Sequence, residues 1–354
     1  MNKFEPYMES VSDDPNKQHI NLSEQAWEVI EFDRTAFSVT EEALSLSGFL
    51  NTIFENYLIS IEDETEIRLP LPLFQKEFDR EVEWIRQALG RKRLSEEIID
   101  GLRREYVVRN QKCYGILSRG EGRKFRLNNA VLNALSSMQG SMVEEIFDKP
   151  GKYLSAFYEE YARMSFYDRE ELYFHAIISG LQDWINRQRS GEVYIAGKRF
   201  LVIPFCISGD RGQNYHYLAG MSKANEEQNY KPASFRISRI SSIGLLTADA
   251  KRERKMMEKE FDSALKSKGI QFLLNDTARI RIRLDDIGKK MFNQQLHLRP
   301  VPEKRNGNVF EFVCTQMQAE YYFFKFGHHA EVLSPVSLRN LFSEKYQEAA
   351  GHYS

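Results

Sequence analysis

Two short stretches of the chain place a tyrosine and an arginine where they could act together. In Asn214-Tyr215-His216-Tyr217-Leu218-Ala219-Gly220, strand alternation turns Tyr217 away from His216 and Leu218. In Ala233-Ser234-Phe235-Arg236-Ile237-Ser238-Arg239-Ile240 it turns Arg236 away from the apolar pair Phe235 and Ile237. A ring beside a guanidinium fork on one sheet face suits a stacked base and its phosphate. Strict alternation puts Arg239 on the opposite face, so it needs a bulge or a barrel corner to converge with Arg236. The same region, 192–247, also holds Lys198, Arg199, Arg211, Lys223 and Lys231, and its seven Lys/Arg against four acids leave a net of +3. The competing reading is a plain β-barrel with exposed strand arginines and a packed or half-exposed His216.

A second cationic feature lies upstream. Residues 86–126 hold twelve Lys/Arg and five acids, a net of +7, and include Arg91-Lys92-Arg93, Arg103-Arg104 and the group Arg119, Arg123, Lys124 and Arg126. Such a run could track a phosphate backbone, or it could be a solvated face. Residues 1–73 are the opposite, with four Lys/Arg against fifteen Asp/Glu, a net of −11. The asymmetry points to a polyanion partner for the body and not for the head.

Catalytic chemistry finds no foothold. Gly120-Glu121-Gly122 sits in an expected turn and not between a strand and a helix, so it is no dinucleotide fingerprint. No phosphate loop and no Gly-x-Ser-x-Gly elbow occurs. Cys113, Cys206 and Cys314 are far apart and odd in number, which excludes a disulfide framework or a metal knuckle and fits a reduced cytoplasm. His328-His329 has no Cys or carboxylate at metal spacing beside it. No carboxylates stand out as an acid–base pair. The expectation is a binding protein without catalytic residues, metal or cofactor. The polar, acidic first thirty residues are no signal peptide, and no apolar run approaches a membrane span.

The elements that must position these residues follow from periodicity. After a polar arm (1–16), Ile20 and Leu22 alternate with His19 and Asn21 as in a strand, and Ser23 offers the cap of a helix through Ala26, Trp27, Val29, Ile30 and Phe37. A second helix is expected from Thr40 through Leu58. The acidic segment 61–72, closed by Pro70 and Pro72, is a linker. Helices are expected near 74–89 and 95–110, then a hairpin pairing 114–118 with 124–127, then helices near 128–147, 151–166 and 168–188. From 192 short strands take over, at 192–195, 198–208, 214–222, 234–239 and 243–246. A charged helix (251–268) and an alternation of strands (280–284, 296–302, 308–315, 330–334) with helices (286–294, 318–326, 335–350) complete the chain. The class is α+β multidomain, with divisions at 17–60, 73–190, 191–247 and 270–354.

One strand followed by two amphipathic helices over 17–60 resembles a ribbon–helix–helix unit, whose members pair their strands between two chains. The resemblance would put Lys17, His19 and Asn21 in a DNA groove. The acidic surroundings, with Glu41 and Glu42 at the helix start, favour a role in dimerisation or docking instead. Residues 73–190 read as a helical, winged-helix-like middle with a β-hairpin.

The stretches Arg199–Phe205, Asn214–Gly220 and Ala233–Ile240 resemble, in order and spacing, the three motifs of the WYL domain, a small SH3-like barrel. The name-giving tripeptide is here His216-Tyr217-Leu218, and Ile237-Ser238 stands for Leu-Asp in the third strand. The resemblance implies nucleic-acid or nucleotide ligands at Tyr217, Arg236 and Arg239, with His216 and Arg199 beside them. Residues 280–284, 287–290 and 330–335 into Leu338-Arg339 look like the C-terminal extension of WYL proteins, a ferredoxin-like α+β module used in pairing between chains. The combination resembles the WYL accessory proteins of type VI-D CRISPR–Cas systems. It implies a homodimer in a bacterial cytoplasm that binds single-stranded RNA and modulates, by stimulation, an RNA-guided RNA nuclease, with no membrane partner. The other reading is a WYL-type transcriptional repressor that binds promoter DNA and senses a nucleic-acid ligand.

Overall fold

The computed structural model describes residues 16–38, 42–62, 74–89, 94–114, 120–138, 140–210, 215–224, 227–274 and 276–353. The chain divides into two compact units, Met1–Ala176 and Ile177–Ser354.

The first unit begins with β1 (Lys17–Leu22), whose alternation buries Ile20 and Leu22 and leaves Lys17 and His19 exposed. Ser23 then caps α1 (Glu24–Ala36), its hydroxyl accepting from the Ala26 amide at 3.2 Å. There follow α2 (Leu46–Glu62), α3 (Phe74–Leu89), α4 (Glu96–Tyr114), β2 (Glu121–Arg126), α5 (Asn129–Ser137), α6 (Met142–Ile146), α7 (Pro150–Arg163) and α8 (Phe166–Tyr173). The next helix, α9 (His175–Asn186), carries the boundary between the units. Helix α7 is the spine of the core: Leu154, Phe157, Tyr158 and Tyr161 are all buried, and Phe157 packs edge-on against Phe54 with centroids 4.9 Å apart. A buried ion pair ties α1 to α8. The Arg169 guanidinium donates to both oxygens of Asp33, at 2.6 and 3.1 Å, and the Tyr161 hydroxyl donates to the same carboxylate at 2.8 Å. Burial pushes the Asp33 carboxyl above its ordinary range, more than Arg169 and Tyr161 pull it down.

Several expectations change here. The hairpin of 114–118 with 124–127 is not the pairing that forms: Tyr114 ends α4, 115–119 lie outside the described residues, and β2 pairs antiparallel with β1 from Lys17↔Arg126 to Leu22↔Glu121. The strand expected to pair between two chains, as in a ribbon–helix–helix dimer, is therefore paired within its own chain. Its other edge is taken as well, because the Asn21 amide donates to Ser155 Oγ at 3.0 Å and the first turn of α7 meets the His19 carbonyl at Gly151. The second helix starts at Leu46, with the Ser45 hydroxyl accepting from the Gly48 amide, and Thr40 and Glu41 lie outside the described residues. The helix expected over 128–147 is broken near Gly140, whose φ of 71° leaves the right-handed helical region, and that over 168–188 breaks at Phe174.

The second unit opens with a five-stranded antiparallel sheet: β3 (Arg189–Ile195), β4 (Lys198–Asp210), β5 (Tyr215–Ala224), β6 (Lys231–Arg236) and β7 (Ser242–Asp249), in the order β6-β5-β4-β3-β7. The expected strand over 234–239 ends at Arg236, and Ile237–Arg239 form a 3-10 turn into β7. Helix α10 (Lys251–Lys268) covers one face, with Phe261 buried against Ile203, Ala219 and Met221. The remainder runs β8 (Thr277–Leu284), α11 (Asp286–Gln294), β9 (Pro302–Asn306), β10 (Val309–Thr315), α12 (Gln316–Phe323), β11 (Ala330–Ser334) and α13 (Val336–Gly351). Its sheet order, β11-β8-β10-β9, is that of a split βαβ unit. The strand expected at 296–302 lies instead at 302–306, opposite β10.

Candidate nucleic-acid interface

The WYL-like motifs have a common physical basis in a kink of β4. Proline has no amide to give a ladder, and Pro204 sits where the β4–β5 register slips, between Pro204 and Cys206. The kink brings two β4 carbonyls into the reach of Arg254, which donates to Pro204 O at 2.8 Å and Phe205 O at 3.2 Å. Across the ladder stands Gly220, where a Cβ would come within 2.3 Å of the Ile203 carbonyl oxygen. A small residue followed by glycine after the Tyr-Leu pair is thus what lets the kinked strand close on its neighbour.

On the other side of β5, Tyr217 lies directly opposite Arg236. Tyr217 is only 9% exposed, so little of its ring is left for a ligand. The more exposed ring is that of Tyr215. Two residues earlier on β5, it shares Tyr217's face, and the Arg236 guanidinium carbon sits 3.1 Å from its ring centroid. Both Tyr215 and Arg236 are half-buried. Cation and ring attract electrostatically at this range, and a stacked guanidinium presents its outer plane and its N–H edge to whatever lies above. The signal for Tyr215 was in the sequence, since i and i+2 of a strand point the same way.

His216 and Arg199 are turned or held away from this pair, and Arg239 stands on the turn that follows it. Arg239 is exposed on the 3-10 turn, three residues beyond Arg236, so strand alternation no longer governs where it points. His216 is 4% exposed on the interior side with Leu218 and does not reach the Tyr215 face. Arg199 lies nine residues along β4 from Ser208, the partner of Tyr217, which is roughly 30 Å of strand. There its guanidinium is ion-paired with Glu192, whose carboxylate also accepts from the Tyr194 hydroxyl at 2.8 Å. Arg199 is therefore not part of this site.

The basic run of the first unit is partly neutralised by its own fold. Arg103 pairs with Glu145, and Arg109 with Glu81 at 2.8 Å. Arg123 stacks on Trp27 at 4.3 Å and pairs with Glu31 and Glu121 at 2.7 and 3.0 Å. Arg104, Lys124 and Arg126 are exposed, and Arg91, Lys92 and Arg93 lie outside the described residues.

Burial raises the Cys206 thiol and pushes Cys314 up to about 12, which keeps both protonated. Among the described residues no cluster of three or more His, Cys, Asp and Glu could hold a metal, and no helix is long and apolar enough to cross a membrane.

No family model matches the chain, and no curated protein matches it. A solved crystal structure described as a CRISPR Cas-related protein superimposes with a TM-score of 0.73 at 24% identity, over 95% of this chain and 94% of that one. The two proteins share a fold. Proteasome accessory factor B/C (PafBC) of Arthrobacter aurescens aligns over 66% of this chain and 37% of its own at 16% identity, and its TM-score of 0.30 carries no argument.

Proposed function

We propose that the chain is a single-stranded-RNA-binding accessory protein which acts as a homodimer in the bacterial cytoplasm. In this reading it stimulates an RNA-guided RNA nuclease of a type VI-D CRISPR system and supplies no catalytic group, metal or cofactor of its own. The observation that carries the reading is the Arg236–Tyr215 stack on the sheet face next to Tyr217. A guanidinium set over a ring is a ready surface for an unpaired base, and its positive charge suits the adjoining phosphate. Only unpaired bases offer their faces this way, which is why a single strand fits better than a duplex.

The sheet order β6-β5-β4-β3-β7, with a 3-10 turn between β6 and β7, supports reading residues 191–247 as the SH3-like barrel of a WYL domain. The split βαβ order of 277–334 supports a ferredoxin-like C-terminal module, which in this reading carries the pairing between chains. The likeness in fold to a protein described as CRISPR Cas-related supports this reading.

The test is a titration of the full chain with labelled single-stranded RNA and with promoter duplex DNA of equal length, at two salt concentrations. Preferred binding of the single strand, lost on Tyr215→Ala and Arg236→Ala, is the expected result. Tight duplex binding with weak single-strand binding would replace the reading by that of a repressor.

A further inference from the structure

Strand β11 is the last of the C-terminal sheet, with β8 on its inner side and, among the described residues, no strand beyond it. Across that pair the Asp285 amide donates to the His329 carbonyl at 3.3 Å. Bonded and open pairs alternate along an antiparallel ladder, so the backbones of His329 and Glu331 face β8, and those of Ala330 and Val332 face outward. The Ala330 amide is taken within the chain, since it donates to the Gly327 carbonyl. The outer edge thus presents the Ala330 carbonyl and both the amide and the carbonyl of Val332. No turn, loop or cap among the described residues bonds to these three groups. Such a row is a template for another strand.

A cleft of about 530 Å³ runs along this edge, between β11 and the side of α13 that carries Phe342 and Tyr346. Ala330, Glu331 and Val332 all line it. Consecutive strand residues point to opposite faces, so a cleft that all three touch lies at the edge and not over either face. Its wall is apolar: Ala330, Val332 and Phe342 belong to one buried core, with Tyr346 packed against it. Its rim is cationic. Arg283 reaches Glu331 at 2.6 Å, and Arg339, from α13, reaches the same carboxylate at 3.5 Å. One carboxylate serves two guanidiniums, which leaves this end of the edge positive. Size, apolar wall and few polar groups are those of a binding cleft.

The opposite edge of the same sheet is built differently. Strand β9 begins at Pro302 and exposes Glu303, Lys304, Arg305 and Asn306, the proline and charges with which sheets resist added strands. On β11 the register slips between Val332 and Ser334, and Pro335 follows. The slip and the proline confine an added strand to the stretch beside 330–332, where the cleft lies.

We infer that this cleft takes a short extended segment of a partner protein in which acidic and apolar residues alternate. Its backbone pairs with the outer edge of β11 at Ala330 and Val332. Its apolar side chains, all on one face, enter the cleft beside Phe342 and Tyr346, and its carboxylates, on the other face, meet Arg339 and Arg283. The site lies wholly in the C-terminal module and does not rest on the RNA reading or on the Tyr215–Arg236 platform.

The test titrates the full chain with a fluorescein-labelled, end-blocked nine-residue peptide of alternating glutamate and valine with phenylalanine at its centre, followed by anisotropy. Its controls are a copy with lysine for glutamate, a copy with acids and apolar residues sorted into separate blocks, and two copies N-methylated at alternate amides, one in each register. The parent should bind at least about tenfold more tightly than the lysine and sorted copies. Of the methylated pair, the copy blocked toward β11 should lose binding and the other keep it, because only one edge of an added strand pairs. Saturation with the parent should slow hydrogen exchange of the Val332 amide at least about tenfold. The exposed change Arg339→Glu should weaken the parent about tenfold and tighten the lysine copy, with the circular dichroism of wild type. Equal affinity for the acidic and lysine peptides, or for both methylated copies, would overturn the inference, as would a parent peptide that does not bind at all. A dimer that becomes a monomer on Arg339→Glu would give the edge to a second copy of the chain and overturn it too.

Discussion

Arg236 rests its guanidinium carbon 3.1 Å from the centre of the Tyr215 ring, so the two side chains form one layered platform and not two separate contacts. Removing either should disturb the other. Tyr215→Ala and Arg236→Ala are each expected to weaken single-strand binding by about 1–3 kcal/mol, and the double variant by less than their sum. Arg236→Lys should behave nearly as Ala, because an ammonium cannot lie flat on the ring. Tyr217→Phe and Arg199→Ala should bind as wild type, the first because its ring is buried and the second because it is held at Glu192. Equilibrium titrations of the six variants decide this.

The kink at Pro204 depends on an absent side chain. Gly220→Ala puts a methyl 2.3 Å from the Ile203 carbonyl oxygen, a backbone atom that cannot swing aside. The expected loss is about 1–3 kcal/mol of stability, with binding weakened as the β5–β6 register loosens. Urea denaturation measures the first. A variant as stable as wild type would show that the strands part at no cost.

Asp33 and Arg169 are both buried, and each needs the other. Asp33→Asn leaves a buried guanidinium without its carboxylate and is expected to cost about 3–5 kcal/mol, as is Arg169→Met. The double variant should recover much of the loss. Chemical denaturation of the three variants, compared as a cycle, checks the coupling.

Asp285 caps α11 through the Gly288 amide at 2.7 Å and meets His329 Nδ1 at 2.8 Å. The amide first, and then His329, hold its carboxyl below the ordinary value of 3.8. A depressed folded value stabilises the protein above 3.8, and that stabilisation is lost as pH falls through the folded value. Melting curves of Asp285→Asn should therefore lie below wild type at neutral pH and converge with it in acid. A constant gap across that range would contradict the assignment.

The five-stranded sheet and the split βαβ unit were legible because their information is local. Alternation in 198–208 and 215–222, the Pro204 and Gly220 pair, and strands such as 330–334 announce themselves over a few residues. The first unit was less so. The partner of β1 lies about a hundred residues away at β2, and nothing within either strand names the other. Charge counted along the chain gave the two strands opposite surroundings, −11 over 1–73 and +7 over 86–126, although they pair with one another. Tyr217 carries the motif, yet burial of β5 on both faces leaves Tyr215, near the strand's start, as the accessible ring.

The internal pairing of β1 also changes what a truncation means. Deleting residues 1–60 removes a strand and two helices from the core of the first unit, including Ile20, Phe49 and Phe54. The expected result is an unfolded first unit, seen as lost helical ellipticity and rapid proteolysis, and not a clean monomer. Light scattering should still report a dimer if the C-terminal module carries the pairing.

The central claim is that an unpaired base stacks on the Tyr215–Arg236 layer. The most direct measurement compares a single-stranded RNA with a strand of equal length and charge that lacks bases, each titrated into the full chain at one salt concentration. Stacking contributes about 1–3 kcal/mol per base, so the strand with bases should bind at least fivefold more tightly, and Tyr215→Ala should remove most of that preference. Equal affinity for the two strands would leave only charge attraction and contradict the account.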